Sequence, residues 1–337
     1  MSSPSKPIVA VLIPEPMRQE ILSRESEELL AAHATIVSDP SGNPTDERLP
    51  NLIRDAVAAV TGWGTPPISI EALAAAPGLQ LVAHTAGSIH KLVPVEAIEN
   101  GLRITHAAAI IADSVAEIVI GQVLRFLRNL DAMDVQMKAD GHWLEVRDAK
   151  PARLLGAQTI GIIGTGHVGR TVIKRLRAFE SRILAADPFL SADAARGLGV
   201  TKASVDEIFE TADIVSLHAP ALPETEGMVG TPQLRALREG GLLINMSRGA
   251  LVREVELIRE LQTGRISAVL DVFAVEPLPI ESPLRQLTNV YLSPHAAGHT
   301  VDTHKRQGHA MVEEVIRLLG GEELRYVISP SALATMA

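Results

Sequence analysis

The stretch GIIGTGHVGR, residues 161–170, carries glycines at Gly164, Gly166 and Gly169 in the spacing G-x-G-x-x-G. It follows the apolar run TIGII and precedes the helical run VIKRLRAF, which is the strand–turn–helix setting that this motif requires. In that setting the glycines permit a tight turn, a close approach of the backbone to a pyrophosphate, and the packing of helix on strand. The stretch therefore predicts a Rossmann-type dinucleotide-binding unit, with the phosphates at the helix N-terminus.

Short segments rich in β-formers alternate with helical segments along the whole chain, which is typical of parallel sheets covered by helices. The chain has 337 residues, more than one compact core usually supports. We therefore predict an α/β fold with two doubly wound parallel-sheet domains. The eleven candidate strands are 7–13, 34–38, 58–62, 79–85 and 102–107, followed by TIGIIG, RILAAD, DIVSLHA, GLLINMS, SAVLDVF and NVYLSPH.

Two long helices are expected besides those between the strands. Ser114 begins S-V-A-E, which matches a capping box in which Glu117 reaches back to the N-cap. A buried helix of about two dozen residues should follow from it. A second helix is predicted over 299–321, closed by Gly320 and Gly321.

Composition narrows the possible partners. The net charge is −9 at pH 7, so the long-range field repels nucleic-acid backbones and anionic membranes. The sequence has no cysteine, which rules out disulfides and thiolate nucleophiles. No apolar run approaches the roughly 20 residues needed to cross a bilayer. We expect a cytoplasmic protein with neither a nucleic-acid nor a membrane partner.

Asp187 is the carboxylate best placed to choose between dinucleotides, because it ends the strand RILAAD 18 residues after Gly169. A carboxylate there accepts hydrogen bonds from the ribose hydroxyls and repels a 2′-phosphate. It favours NAD over NADP. The alternative is that Asp187 only starts a turn before Pro188.

Three strand ends carry groups suited to hydride transfer at a 2-hydroxy or 2-oxo acid: Arg248, Glu276 and His295. An arginine can pair with a carboxylate and polarise a carbonyl, and a histidine can exchange a proton near neutrality. A carboxylate behind the histidine would stabilise the imidazolium and fix its tautomer. Each residue also has a structural alternative as a surface ion pair, a loop acid or a packing residue.

The segments SVAE, GIIGTGHVGR, LAADP, LHAPALPET, INMSRGALV, LDVFAVEP and SPHAAGHT, in this order, resemble the D-isomer-specific 2-hydroxyacid dehydrogenases. The resemblance implies an NAD(H)-linked oxidoreductase that interconverts a D-2-hydroxy acid and its 2-oxo acid. It implies a flavodoxin-like substrate domain, residues 1–111 and 301–337, into which a Rossmann-type NAD domain, residues 112–300, is inserted. The long helix from Ser114 would be the hinge and part of a homodimer interface.

The same resemblance implies roles for individual residues. Arg248 would bind the substrate carboxylate and carbonyl, and His295, paired with Glu276, would be the acid/base. The backbone N–H groups of Ala86, Gly87 and Ser88 would hold the substrate carboxylate, and Trp63 would cover the substrate tail. The expected cofactor contacts, from the loop and the resemblance together, are Gly164, Gly166, His167, Val168, Gly169, Asp187, His218, Ala219, Pro220, Met246, Ser247, Asp271 and Gly298.

Two positions depart from the family pattern. Many members have an aromatic residue and an aspartate after the glycine where this chain has Ser88, Ile89 and His90. Relatives commonly carry aspartate where this chain has Arg253, so we expect altered local pairing there.

Several alternatives remain open. His295 and His299 are four residues apart, but they lie in a loop with no paired carboxylate nearby, so no metal site is predicted. The chain could instead be an NAD-sensing binding protein, like the corepressor branch of the family. As an alternative substrate, 3-phosphoglycerate is disfavoured because TGWGTPP has no cation for a phosphate and the chain stops at Ala337 without a regulatory extension. Glyoxylate, hydroxypyruvate or a bulkier 2-oxo acid is preferred.

Overall fold

The computed structural model describes residues 6–329 except Lys91 and Asp140. The ends of the predicted substrate domain, 1–5 and 330–337, therefore lie outside the described residues. The described chain forms two compact units. One consists of Ala112–Gly298, and the other of the residues before Ala112 together with those from His299 onward.

The first unit contains a five-stranded parallel sheet in the order β2-β1-β3-β4-β5. Its strands are Ile8–Val11 (β1), Thr35–Ser38 (β2), Ala56–Thr61 (β3), Leu81–His84 (β4) and Arg103–His106 (β5). The inner strands β3 and β4 are short and apolar because both of their faces are covered. This order is flavodoxin-like, and in such sheets ligands bind beyond the carboxyl ends of the strands.

Short helices connect these strands. They are Met17–Ile21 (α1), Arg24–His33 (α2), Leu49–Ile53 (α3), Ile70–Ala74 (α4) and Val95–Glu99 (α5). The side chains of Ser23 and Ser69 cap α2 and α4 by accepting hydrogen bonds from Ser26 N and Ala72 N. Serine at these positions therefore determines where the two helices begin.

The second unit is built on a seven-stranded parallel sheet in the order β12-β11-β10-β9-β6-β7-β8. Ala108–Arg128 (α6), Leu130–Lys138 (α7) and Trp143–Asp148 (α8) precede this sheet in the chain. The strands are Thr159–Ile163 (β6), Arg182–Ala186 (β7), Thr201–Lys202 (β8), Ile214–Leu217 (β9), Leu242–Asn245 (β10), Ser267–Leu270 (β11) and Val290–Leu292 (β12). Six of them have the Rossmann order, and β12 extends the sheet by one strand.

Helices cover this sheet and then return the chain to the first unit. They are His167–Leu176 (α9), Ala192–Leu198 (α10), Val205–Thr211 (α11), Thr231–Ala236 (α12), Glu254–Leu261 (α13) and Val301–Gly320 (α14). Helix α14 is the predicted last helix, and Gly321 ends it with a φ of 69°. No helix in the described ranges is long and apolar enough to span a bilayer.

The predicted fold class is confirmed, and all eleven predicted strands are present. The strand β8 was missed, because its two exposed residues have no apolar periodicity.

The predicted capping box at Ser114 is wrong. Helix α6 begins at Ala108, so Ser114 lies inside it, and its hydroxyl donates to the Ala297 carbonyl at 2.8 Å. The preceding residues AAIIAD contain no helix breaker, so the helix extends upstream of the serine. The helix also ends earlier than predicted, because Asn129 adopts a φ of 51° and separates α6 from α7.

Candidate functional site

The glycine loop between β6 and α9 has the geometry that a pyrophosphate needs. Gly164 has a φ of 94°, and a Cβ there would lie 2.6 Å from Ala219 N. A Cβ on Gly169 would overlap the Gly164 carbonyl oxygen. At Gly166, the N-cap of α9, a Cβ would meet nothing within 4 Å. The loop is therefore packed on the protein side and open at the helix N-terminus, where anions bind favourably.

Asp187 holds this loop in place. Its Oδ2 accepts hydrogen bonds from Thr165 N at 2.7 Å and from Thr165 Oγ1 at 2.9 Å, while Oδ1 accepts from Phe189 N at 2.8 Å. The carboxylate thus connects the end of β7 to the glycine loop. Oδ1 retains a lone pair that can accept a further hydrogen bond.

The carboxyl ends of β9 and β10 are connected by Ser247, whose hydroxyl donates to the Ala219 carbonyl at 2.5 Å. His218 is buried and hydrogen-bonds Ser216 Oγ through Nε2 at 2.9 Å. Its Nδ1 is buried without a partner among the described residues. Met246 is also buried, and Pro220 is half-buried. These predicted cofactor contacts share one edge of the sheet with the glycine loop.

Asp271 fixes the loop that carries His295. Its Oδ1 accepts from Ser293 Oγ at 2.6 Å and from Ala296 N at 2.9 Å, and its Oδ2 accepts from Ala297 N at 2.9 Å. The Asp271 carbonyl also accepts from His295 N at 2.8 Å. His295 itself has a φ of 51°, which is unfavourable for most residues and is maintained here by these bonds. The surrounding turn includes Gly298.

His295 and Glu276 form a hydrogen-bonded pair. Glu276 Oε2 lies 2.7 Å from His295 Nδ1, and its other oxygen accepts from Phe273 N at 3.0 Å. Because the carboxylate can only accept, Nδ1 carries the proton and Nε2 is left to act on a ligand. The imidazole is 49% exposed. Both residues border a cavity of about 630 Å³ with Phe273, Leu278 and Leu292.

Arg248 lies in the same neighbourhood, three residues after the end of β10. Burial lowers the pKa of Arg248, and the nearby Glu276 carboxylate opposes that effect. The guanidinium remains charged, since an arginine loses its proton only far above neutral pH. Its Nη1 donates to the Ser247 carbonyl at 2.8 Å, and Asn245 Nδ2 donates to the Arg248 carbonyl at 2.9 Å. The second unit therefore pairs Glu276 with His295 and places the Arg248 guanidinium near enough to Glu276 for their charges to interact.

In the first unit, carbonyl groups of the loop after β4 accept hydrogen bonds from the end of β5 and the residue after it. The Ala86 carbonyl accepts from Ala107 N at 3.0 Å, and the Gly87 carbonyl accepts from His106 Nδ1 at 3.0 Å. A hydrogen bond between His84 and the Ser88 backbone acts to raise the pKa of His84. Such a bond favours the protonated imidazole, so the imidazole is the donor and the Ser88 carbonyl is the acceptor. In a trans peptide the N–H points opposite to the C=O of the same plane. The N–H groups of Gly87, Ser88 and Ile89 therefore point away from these anchors.

His84 and His106 were missed by the sequence reasoning. They end β4 and β5 and are partners in the register of the sheet. Both are buried, and His84 Nδ1 also bonds Thr61 Oγ1 at 2.9 Å. The available signal was a histidine at the end of two successive apolar strands, LVAH and RITH.

The sequence also singled out Trp63, as a cover for the substrate tail, and Arg253, as a site of altered local pairing. Trp63 stacks on His299 with ring centroids 4.9 Å apart. Arg253 donates from Nε to the Gly227 carbonyl at 3.1 Å and lies 3.5 Å from Glu256. Within the ranges that the structure describes, no three histidine, aspartate or glutamate side chains are grouped so as to hold a metal ion.

The family model described as D-isomer specific 2-hydroxyacid dehydrogenase, NAD binding domain, matches residues 120–297. This match covers the unit with the glycine loop, Arg248, Glu276 and His295. The chain belongs to this family. It is accordingly an NAD-dependent D-2-hydroxyacid oxidoreductase, and the predicted cofactor and enzyme class are confirmed.

Two curated relatives illustrate the similarity. The chain is 34% identical to the glyoxylate reductase of Korarchaeum cryptofilum over 284 residues, 83% of this chain and 84% of that protein. It is 31% identical to the D-3-phosphoglycerate dehydrogenase of Methanocaldococcus jannaschii over 287 residues, 85% of this chain. The chain spans only 54% of that dehydrogenase's length.

Solved structures agree with the family assignment. The 2-hydroxyacid dehydrogenase of Ketogulonicigenium vulgare matches with a TM-score of 0.78 at 26% identity, over 97% of this chain and 99% of that one. A phosphoglycerate oxidoreductase from Rhizobium etli matches with a TM-score of 0.80 at 25% identity, over 96% and 98%.

Two buried histidines of this dehydrogenase make its stability depend on pH. Burial lowers the pKa of His84 to about 4, with His106 adding to the effect, and burial lowers that of His218 to about 4. In the unfolded chain both titrate near 6.5. The unfolded state then binds more protons below pH 6.5, so the free energy of unfolding should fall as the pH drops from 6.5 to 4, by at most about 3 kcal/mol per histidine.

Urea unfolding at several pH values tests this expectation. The double variant His84→Gln/His218→Gln should show a flatter decline of the unfolding free energy between pH 6.5 and 4 than the wild type, whatever its stability at pH 7. An identical decline in both proteins would show that these histidines do not remain neutral in the folded state.

Proposed function

We propose that Arg248, Glu276 and His295 carry out the interconversion of a D-2-hydroxy acid and its 2-oxo acid. The observation that supports this assignment is the 2.7 Å hydrogen bond between Glu276 Oε2 and His295 Nδ1. The Arg248 guanidinium is close enough to Glu276 for the two charges to interact. His295 offers a proton, Glu276 offers a negative charge that stabilises the protonated imidazole, and Arg248 offers a cation for the substrate carboxylate. Bound NAD supplies the hydride donor or acceptor.

His295 is the acid/base in this proposal. With Nδ1–H directed at Glu276, the imidazole presents Nε2 to the substrate oxygen. During reduction, protonated Nε2 gives its proton to the oxygen that was the carbonyl. During oxidation, neutral Nε2 takes the hydroxyl proton back, and Glu276 stabilises the resulting imidazolium.

By resemblance to the family, both Arg248 and the loop after β4 are assigned to the substrate carboxylate. The guanidinium pairs with the carboxylate and polarises the adjacent carbonyl. The N–H groups of Gly87 and Ser88, with that of Ile89, offer further donors. We assign His84 and His106 as positioning residues, because they hold the Ser88 and Gly87 carbonyls and so orient these N–H groups.

The NAD site is proposed at the carboxyl edge of the seven-stranded sheet. The open space at Gly166, the N-terminus of α9 and the buried Nδ1 of His218 all suit a polar ligand there. The domain assignment follows: residues 112–300 bind the cofactor, and 1–111 with 301–337 bind the substrate. The proposed contacts are Gly164, Gly166, His167, Val168, Gly169, Asp187, His218, Ala219, Pro220, Met246, Ser247, Asp271 and Gly298.

The proposed substrate is a 2-oxo acid without a phosphate group. The loop TGWGTPP after β3 contains no arginine or lysine for a phosphate, although some relatives are named for 3-phosphoglycerate. A panel of glyoxylate, hydroxypyruvate, pyruvate, longer 2-oxo acids and 3-phosphohydroxypyruvate, assayed by NADH consumption, tests this. Preferred reduction of the phosphorylated acid would contradict the proposed substrate class.

A homodimer and a cytoplasmic location are further proposals. The segment containing α7 and α8 exposes large apolar side chains: Leu130, Val135, Trp143 and Leu144 are each at least 50% exposed. Such a surface is typical of an interface. Sedimentation of the purified chain at micromolar concentration should give twice its monomer mass.

The variant Glu276→Gln tests the role of Glu276. Its amide can donate as well as accept a hydrogen bond, so the proton of His295 is no longer fixed on Nδ1. We expect kcat for 2-oxo acid reduction to fall, because the tautomer and ring orientation that present Nε2 to the substrate are no longer fixed. Steady-state kinetics at saturating NADH measure kcat. An unchanged kcat would separate Glu276 from His295 in function.

A further inference from the structure

Three aromatic rings and one carboxylate form a cluster in the first unit, and Trp63 is the one member that the sequence analysis assigns to the substrate. Trp63 follows β3, His299 precedes α14, His304 lies in the first turn of α14, and Glu20 lies in α1. The Trp63 and His299 rings are stacked at 4.9 Å, and His304 is 5.6 Å from Trp63 and 5.1 Å from His299. His304 is buried, whereas His299 and Glu20 are exposed.

The hydrogen bonds of this cluster have a defined direction. His304 Nδ1 lies 3.5 Å from Glu20 Oε2, and His304 Nε2 lies 3.2 Å from His299 Nδ1. Burial lowers the pKa of His304, with His299 acting in the same direction against Glu20, so His304 is neutral near neutral pH. Because Glu20 can only accept, the single proton of His304 is on Nδ1, and its Nε2 must accept.

The tautomer of His299 follows from this direction. His299 Nδ1 must carry the proton that it donates to His304 Nε2. A neutral His299 then has an unprotonated Nε2, which forms no hydrogen bond with the residues that the structure describes. The stacked indole of Trp63 holds the ring in this orientation. His299 therefore presents a hydrogen-bond acceptor on an exposed side chain.

The cluster lies beside the loop that holds the substrate carboxylate. A Cβ on Gly62 would be 2.6 Å from Thr85 Oγ1, so the chain before Trp63 contacts the chain before Ala86. Both loops lie beyond the carboxyl ends of adjacent strands, β3 and β4. His299 follows His295 by four residues, so covalent connection alone keeps their Cα atoms within about 14 Å.

We propose that Glu20, His304 and Trp63 fix His299 as a specificity-determining residue whose Nε2 accepts a hydrogen bond from a donor group on the substrate tail. The proposal rests on the proposed function. The substrate class that this acceptor selects is a 2-oxo acid with a hydroxyl on the carbon next to the carbonyl, or further along the tail. A tail that ends in a methyl group leaves Nε2 without a donor, and a tail that ends in a carboxylate places two acceptors together.

Hydroxypyruvate and pyruvate are the matched test substrates, because they differ by one hydroxyl. We expect the wild type to prefer hydroxypyruvate by kcat/KM. In His299→Phe, which keeps a ring on Trp63 and removes both nitrogens, this preference should fall about 10-fold, the usual contribution of one hydrogen bond. Glu20→Ala should lower it by a smaller factor, because His304 then loses the acceptor that sets its tautomer.

His309→Phe is the control, since His309 lies on the same helix but bonds Ser26 and faces Glu313. It should keep the wild-type preference. An unchanged preference in His299→Phe, in an enzyme that still reduces both acids, would overturn the specificity proposal alone. Failure of the wild type to reduce either acid, or any other acid of the panel, would overturn the proposed function and this proposal with it.

The tautomer can be measured without turnover. Histidine ¹⁵N chemical shifts of the protein at pH 8 should show His299 protonated on Nδ1 and unprotonated on Nε2, assigned by the loss of its signals in His299→Phe. Glu20→Ala should mix the two tautomers of His299. A wild-type His299 protonated on Nε2 would contradict the proposal whatever the kinetics show.

Discussion

The variant His295→Ala should lose about two to four orders of magnitude in kcat, which is the usual contribution of a positioned acid/base. NADH affinity should be nearly unchanged, because no proposed cofactor contact depends on this imidazole. Stopped-flow reduction of the preferred 2-oxo acid and fluorescence titration of NADH measure the two effects. Equal losses in turnover and NADH affinity would mean that the histidine is structural.

The backbone of His295 requires a second variant. With a φ of 51°, the position disfavours alanine, and the loop around it could rearrange. His295→Asn tolerates this conformation better than alanine and has no titratable group. Both variants should be inactive if the imidazole transfers the proton. Activity retained in His295→Asn would assign the role of the residue to loop geometry. The exposed His33→Ala serves as the control.

The second large effect is expected for Arg248→Gln, which should lower kcat/KM by about two to three orders of magnitude. The variant removes the cation that pairs with the substrate carboxylate and polarises the carbonyl, so KM should rise and kcat should fall together. Arg248→Lys should recover only part of the loss, because an ammonium cannot form the bidentate pair. Steady-state kinetics over a wide range of 2-oxo acid concentrations separate the two parameters.

Arg259→Gln is the matched control for Arg248, since Arg259 is exposed on α13 of the same unit. It should leave both parameters unchanged. If Arg248→Gln altered NADH affinity as strongly as it altered KM for the 2-oxo acid, the guanidinium would have to be reassigned to the cofactor.

The capping-box error at Ser114 shows where local patterns fail. Serine followed by glutamate three residues later is a frequent helix start, but the residues before Ser114 have no breaker and continue the same helix. The serine hydroxyl bonds the carbonyl of Ala297, 183 residues away in the chain. A pattern of four residues cannot reveal a partner at that distance.

The sequence by itself determined the two parallel sheets and the glycine loop, because strand periodicity, turn glycines and helix starts depend on neighbouring residues. It also indicated Arg248, Glu276 and His295, since each stands at or shortly after the end of an apolar strand. Only the tertiary structure decided what holds them: the bonds of Asp271 to the His295 loop, the two histidines behind Gly87 and Ser88, and the contacts of His299 with Trp63 and His304. These contacts join residues from different strands and helices, and their hydrogen-bond directions exist only when folding brings donor and acceptor within about 3 Å of each other.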